Sequence, residues 1–181
     1  MLETFAVRYN GSLIAMAILP IRIYPDPILR EQTEEVTRFD TELESLADSL
    51  AETMYRAHGI GLAAPQVGSL SRIMVVDISE ERNERIDFIN PRIVQRIGSV
   101  SSEEGCLSIP GFRDTIKRSK EIIVQTKDIA GKDLELKLDG LLGICVQHEI
   151  DHLDGVLFID HLSRLKRELF KRWLKKQGPL E

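Results

Sequence analysis

The spacing of apolar residues divides the chain into helix-like and strand-like stretches. From Asp40 onward Leu43, Leu46, Leu50 and Met54 recur at intervals of three and four, the signature of one buried helix face. Asp40 or Thr41 can cap that helix, Glu42 and Glu44 suit its positive end, and Gly59 offers a stop. Residues 72–78 form a β-branched run that predicts a buried strand. Shorter alternating or apolar runs at 86–89, 92–97, 121–127 and 134–138 predict four more, and Ile129-Ala130-Gly131-Lys132 predicts a hairpin joining the last two. Nearer the start, Pro25-Asp26-Pro27 leads from extended chain into a short helical turn through Arg30.

Two further helices follow the strands. Over 140–153 Leu141, Ile144, Cys145, His148 and His152 share one side, and Asp154-Gly155 supplies the end. Ser163 caps the last helix, 163–177, in which Leu165, Leu169 and Trp173 recur every fourth residue, a stripe expected to pack on the domain while cations cover the remainder. Strands first and helices afterwards predict an α+β fold, with antiparallel or mixed β-sheets packed around a central helix and a C-terminal helix beside them.

Composition narrows this to one domain. With 181 residues, 43% of them hydrophobic, the chain can bury one substantial core. Residues 16–181 are read as that domain, and residues 1–15 as an N-terminal extension, either disordered or upstream of a start at Met16. The apolar stretch 12–19 is too short to span a membrane. Ala15-Met16-Ala17 has the look of a signal-peptidase site, but Arg8 and Asn10 interrupt the region that should be apolar, so export is not expected. The two cysteines, Cys106 and Cys145, give no disulfide framework and suit a reducing cytosol. A formal charge of −5 argues against DNA as a partner, although seven basic residues stand against two acidic ones from Ser163 to Glu181.

The chemistry is concentrated in Gln147-His148-Glu149-Ile150-Asp151-His152. On a helix His148 and His152 lie only about 40° apart, so both imidazoles can close on one ion. Glu149 sits beside that face, where it can act on water at the ion without being a ligand. Such a pair of histidines also arises on helices where both are solvated, so a third ligand decides the matter. The metzincin extension past Gly155 would need histidine at 158, which is Phe. Glu168 lies about twenty residues on, among Lys166, Arg167, Lys171 and Arg172, where an ion pair is its expected use. Cys145 lies a turn before His148 and is expected to line a pocket. Cys106, within Glu104-Gly105-Cys106-Leu107-Ser108, is the remaining candidate.

That segment, the helix motif and Gly59-Ile60-Gly61-Leu62-Ala63-Ala64-Pro65-Gln66 together resemble, in order, the three motif blocks of the peptide deformylase family. The resemblance runs from about Met16 through the C-terminal helix. It implies one divalent ion held by Cys106, His148 and His152, with iron(II) native and zinc, nickel or cobalt as substitutes. Glu149 would be the general acid and base, with the Gln66 amide and the Leu107 backbone N–H donating to the oxyanion. Ile60, Leu107, Leu141, Ile144 and Cys145 would line a methionine pocket, and an extended peptide would pair with backbone near Ile60, Gly61 and Gly105. Arg113 would border the cleft, and Glu104 would pair with Arg118 to hold the Cys106 loop. Ser102 departs from the apolar residue usual at its position, which puts the outer rim in question.

The implied activity is removal of the formyl group from N-terminal formylmethionine of nascent polypeptides in the cytoplasm. The basic C-terminal helix would dock on the ribosome near the exit tunnel. Two other readings stand beside it. A zinc endopeptidase would need a downstream third ligand such as Glu168. A ribosome-associated binding module with a structural metal would have no use for Glu149.

Overall fold

In a computed structural model, which describes residues 4–9 and 12–178, a central antiparallel sheet sends its side chains alternately to two helices. The chain enters through a hairpin of β1 (Thr4–Tyr9) and β2 (Ser12–Ala17). Of the expected N-terminal extension, residues 1–3 and 10–11 lie outside the described residues, as do residues 179–181 at the other end. A single 3-10 turn, Pro27–Arg30, is capped by the Asp26 side chain and leads to α1 (Thr41–Arg56). Asp40 caps α1 by accepting from the Glu42 and Leu43 amides at 3.2 and 3.3 Å. The helix ends ahead of the expected Gly59, with His58 taking a positive φ of 56°.

β3 (Gly61–Ala63), β4 (Ile73–Val76) and β5 (Ile86–Ile97) come next. A two-stranded ribbon, β6 (Val100–Cys106) and β7 (Ile109–Arg118), precedes β8 (Glu121–Lys127) and β9 (Asp133–Asp139). The five-stranded sheet has the order β3-β4-β5-β8-β9. After β9, α2 (Gly140–Leu153) turns back across that sheet, and α3 (Arg164–Gln177) closes the chain. No helix among the described residues is long and apolar enough to cross a membrane.

The continuous apolar run of β4 is explained by what covers it. Successive side chains of a strand point to opposite faces. Ile73 and Val75 join Leu43, Leu50 and Met54 of α1 in one core, while Met74 and Val76 join Val146, Ile150 and Leu153 of α2 in another. A strand covered on both faces has no polar side to show.

The stretches 86–89 and 92–97 are one strand, not two. Asn90, at φ 53°, clamps Val36 through two 2.8 Å hydrogen bonds, and the β5–β8 register shifts across Asn90 and Pro91. Left-handed backbone followed by a residue without an N–H interrupts the ladder and splits the apolar pattern.

The β6–β7 ribbon is not among the strands the apolar pattern predicts, because its residues are mostly polar and much of it faces a cleft. It rests on a third core in which Ile109 and Ile116 meet Leu157, Phe158, Leu162 and Phe170. That core also corrects the reading of α3. Leu165 and Leu169 are exposed, at 71% and 51%, and the face that packs is Phe170, Trp173 and Leu174. A period of four drifts around a helix of 3.6 residues per turn, so of the evenly spaced stripe only Trp173 turns toward the core.

Candidate metal centre

Most of α2 is enclosed, including Gln147, His148, Glu149 and His152. Its two histidines stand one turn apart with ring centroids separated by 5.0 Å. β6 delivers Cys106 to them through a register shift between Gly105 and Cys106. The sulfur lies 3.2 Å from His152 Nε2, and one donor atom from each of Cys106, His148 and His152 falls within 4.8 Å of the others. The competing third ligands lie apart from this group. Phe158 is buried apolar surface, Glu168 is exposed and paired with Lys171 at 2.8 Å, and Cys145 lines the cleft wall with its sulfur 3.6 Å from the Ile60 carbonyl.

The three residues fit a divalent transition ion. A thiolate beside two imidazoles is a donor set of the right softness for iron, cobalt, nickel or zinc. His148 Nδ1 faces Glu104 Oε2 at 2.8 Å, and donating there leaves Nε2 with a lone pair for an ion. Burial would raise the Cys106 thiol, but the neighbouring His152 and His148 imidazoles bring it well below its usual range. The buried Cys145 thiol is pushed up instead, by its burial and by Glu149, and stays protonated. Glu149 Oε2 and His152 Nδ1 are buried with no hydrogen-bond partner among the described residues. Such unpaired atoms are rare in a folded chain, and Glu149 Oε2, on a residue that lines the cleft, marks where a reacting group can complete the pairing.

A charge network not foreseen in full holds Glu104. Arg118 donates to both Glu104 oxygens at 2.8 and 2.9 Å and to Asp151 at 2.5 Å, and Asp151 meets His161 at 2.7 Å. Burial would raise the Glu104 carboxyl, yet Arg118 and His148 hold it below its usual value. The Glu104–Arg118 pair was expected from the sequence. Its extension to His148 was not, since a strand and a helix 44 residues apart share no local pattern.

Glu149, by contrast, is raised by its burial, which makes its carboxylate a readier proton acceptor. It lies against β3, where glycine is a packing requirement. A Cβ on Gly61 would come within 2.6 Å of Glu149 Oε1 and 2.7 Å of Cys145 Sγ. Gln66 is buried, and its Oε1 accepts from the Ala63 amide at 2.9 Å. That fixes its Nε2 toward Ser108 Oγ at 3.2 Å and Cys106 Sγ at 3.7 Å.

These groups form the floor of a cleft of about 660 Å³. Ile60, Gly61, Gly105, Leu107, Arg113, Leu141, Ile144 and Cys145 line it, together with Gln66, Cys106, His148 and Glu149. Ser102, Glu103 and the exposed His58 also line it. Phe112, which the sequence did not single out, contributes to the wall.

A thiolate and two helix-borne imidazoles at the floor of a cleft, with a buried carboxylate beside them, define the class: a metal-dependent hydrolase. Comparison with known proteins narrows it. A family profile described as polypeptide deformylase matches residues 18–168. Peptide deformylase from Thermodesulfovibrio yellowstonii is 51% identical over 162 residues, covering 88% of this chain and 98% of that one. Its counterpart from Chromobacterium violaceum is 50% identical, covering 90% and 97%. The crystal structure of a peptide deformylase from Legionella pneumophila superposes with a TM-score of 0.82 at 44% identity, over 90% of this chain and 100% of that one. The chain belongs to the polypeptide deformylase family, whose members remove the formyl group from nascent peptides.

Glu104→Gln removes the carboxylate that orients His148 while keeping the side chain's size. Metal affinity, measured by competition with a chromophoric chelator, is expected to fall about 10–100-fold. An unchanged affinity would contradict the role given to Glu104.

Proposed function

We propose that residues 16–181 act as one catalytic domain that hydrolyses the formyl amide of N-terminal formylmethionine, releasing formate and a free amine. Cys106, His148 and His152 hold one divalent ion, with iron(II) as the native ion and zinc, nickel or cobalt as substitutes. When bound, that ion supplies Lewis-acid activation of water at neutral pH.

The rest of the work falls to the chain. Glu149 takes a proton from the attacking water and returns it to the departing nitrogen as the C–N bond breaks. Gln66 Nε2 and the Leu107 backbone N–H donate to the oxygen of the formyl group as it gains negative charge. The observation that carries this is the Gln66 side chain, whose carbonyl end is anchored on Ala63 so that its amide end points toward Cys106. A donor fixed before charge develops costs no reorganisation during the reaction.

Selectivity for methionine comes from Ile60, Leu107, Leu141, Ile144 and Cys145, an apolar slot suited to a flexible thioether. The peptide lies extended, with its backbone against Ile60, Gly61 and Gly105. Arg113, which pairs across the ribbon with Glu103 at 3.7 Å, borders the exit of the cleft.

Ribosome association is supported by α3. Its exposed surface carries Arg164, Arg167, Lys171, Arg172, Lys175 and Lys176, alongside the uncovered Leu165 and Leu169. The two free cysteines and the thiolate needed at position 106 support a reducing cytoplasm as the site of action. Removing residues 163–181 is expected to abolish cosedimentation with ribosomes, and the parent's binding is expected to weaken steeply with salt.

Deformylation is tested with anaerobically prepared protein. Formate is expected from formyl-Met-Ala-Ser and not from acetyl-Met-Ala-Ser, and Gln66→Ala is expected to lower kcat by about 10²–10³-fold. Equal turnover of both peptides, or full activity in the variant, would count against the assignment.

A further inference from the structure

The cleft has two walls of different construction. One is built by β3 and α2, whose residues are locked into the central sheet and its covering helix. The other is the start of β7, where Pro110, Gly111, Phe112 and Arg113 line the cleft. This wall belongs to a ribbon of only two strands. Such a ribbon is marginally stable alone, so its position depends on what packs against it.

What packs against it is the Phe158–His161 turn together with the aromatic face of α3. The half-buried Phe112 lines the cleft, and its ring lies 4.8 Å from Phe170, 5.1 Å from Trp173 and 6.0 Å from Phe158, centroid to centroid. Gly111 has a φ of +77°, and a Cβ there would stand 3.7 Å from the Trp173 indole. Just beyond, Lys166 Nζ donates to Asp114 Oδ1 at 2.5 Å and to the Thr115 carbonyl at 2.7 Å. The C-terminal helix therefore holds the ribbon at Phe112 and just beyond it, at Asp114 and Thr115. The reacting groups are held by other means: Glu104 fixes His148, and Ala63 and Ser108 fix Gln66.

We infer that Phe170 and Trp173 are positioning residues for the peptide: through Phe112 they set the cleft wall opposite α2, so peptide affinity depends on the C-terminal helix while the chemical step does not. This rests on the cleft being the substrate site proposed above. Aromatic pairs hold their partners in a directional way beyond simple burial. Removing the indole lets the Phe112 ring swing out of the wall, and the peptide loses a surface prepared for it.

The test uses the full-length, metal-loaded chain. Trp173→Ala is expected to raise KM for formyl-Met-Ala-Ser about three- to tenfold, with kcat within about twofold of the parent. Trp173→Phe is expected to restore most of the lost affinity. Trp173 is also the single tryptophan of the chain, so its emission in the parent should change as the product peptide Met-Ala-Ser fills the cleft. An unchanged KM in Trp173→Ala, whatever happens to its melting temperature, would overturn the inference, as would a fall in kcat at constant KM. Should that variant not fold, the parent's emission decides: no change at Met-Ala-Ser concentrations that inhibit turnover overturns it. Absence of formate release by the parent would instead refute the assigned reaction, and the emission titration would still show whether Trp173 senses a peptide in the cleft.

Discussion

The buried guanidinium of Arg118 is the interaction on which the centre depends. Its side chain is only 3% exposed, and it spans Glu104 on the ribbon and Asp151 on α2. The two elements carrying the proposed ligands are thereby joined by charge as well as by packing. A buried ion pair adds little net stability compared with apolar residues, but breaking one by removing a single partner costs about 3–5 kcal/mol. Its use here is placement. Glu104 cannot leave Arg118 without stranding a charge, so the imidazole of His148 is held in one orientation.

Around that junction the fold divides the work. The five-stranded sheet, covered by α1 and α2, gives a rigid floor on which β3 and the Gln66 segment approach α2 closely enough that Gly61 admits no side chain. The ribbon supplies Cys106 from the other side and, with its tip, the second wall of the cleft. The third core binds this ribbon to α3 and reaches the centre itself, since Phe158 stacks on His148 with ring centroids 6.0 Å apart. The Cys106, His148 and His152 group, the cleft walls and the cationic outer surface of α3 are thus carried by contiguous layers.

Much of this was legible in the residues because the relevant patterns are local. The caps at Asp40 and Ser163, the doubly buried run of β4 and the two histidines of α2 each lie within a few neighbours of one another. The three motif blocks then identified the family, and the structure brings Cys106, His148 and His152 together. What escaped was set by tertiary partners. The ribbon was missed because its polar residues face a cleft. The bend in β5 depends on the clamp between Asn90 and Val36, 54 residues apart. The packing face of α3 was misread because Phe170 is chosen by its aromatic partners, Tyr24, Phe112 and Trp173, and not by regular spacing.

The central claim is convergence of one sulfur and two imidazole nitrogens on a single ion. X-ray absorption at the zinc edge of the zinc-loaded protein tests it most directly. One sulfur scatterer at about 2.3 Å and two imidazole nitrogens at about 2.0–2.1 Å are expected, with the sulfur shell lost in Cys106→Ser. A spectrum without sulfur, or a sulfur shell that survives that substitution, would contradict the account.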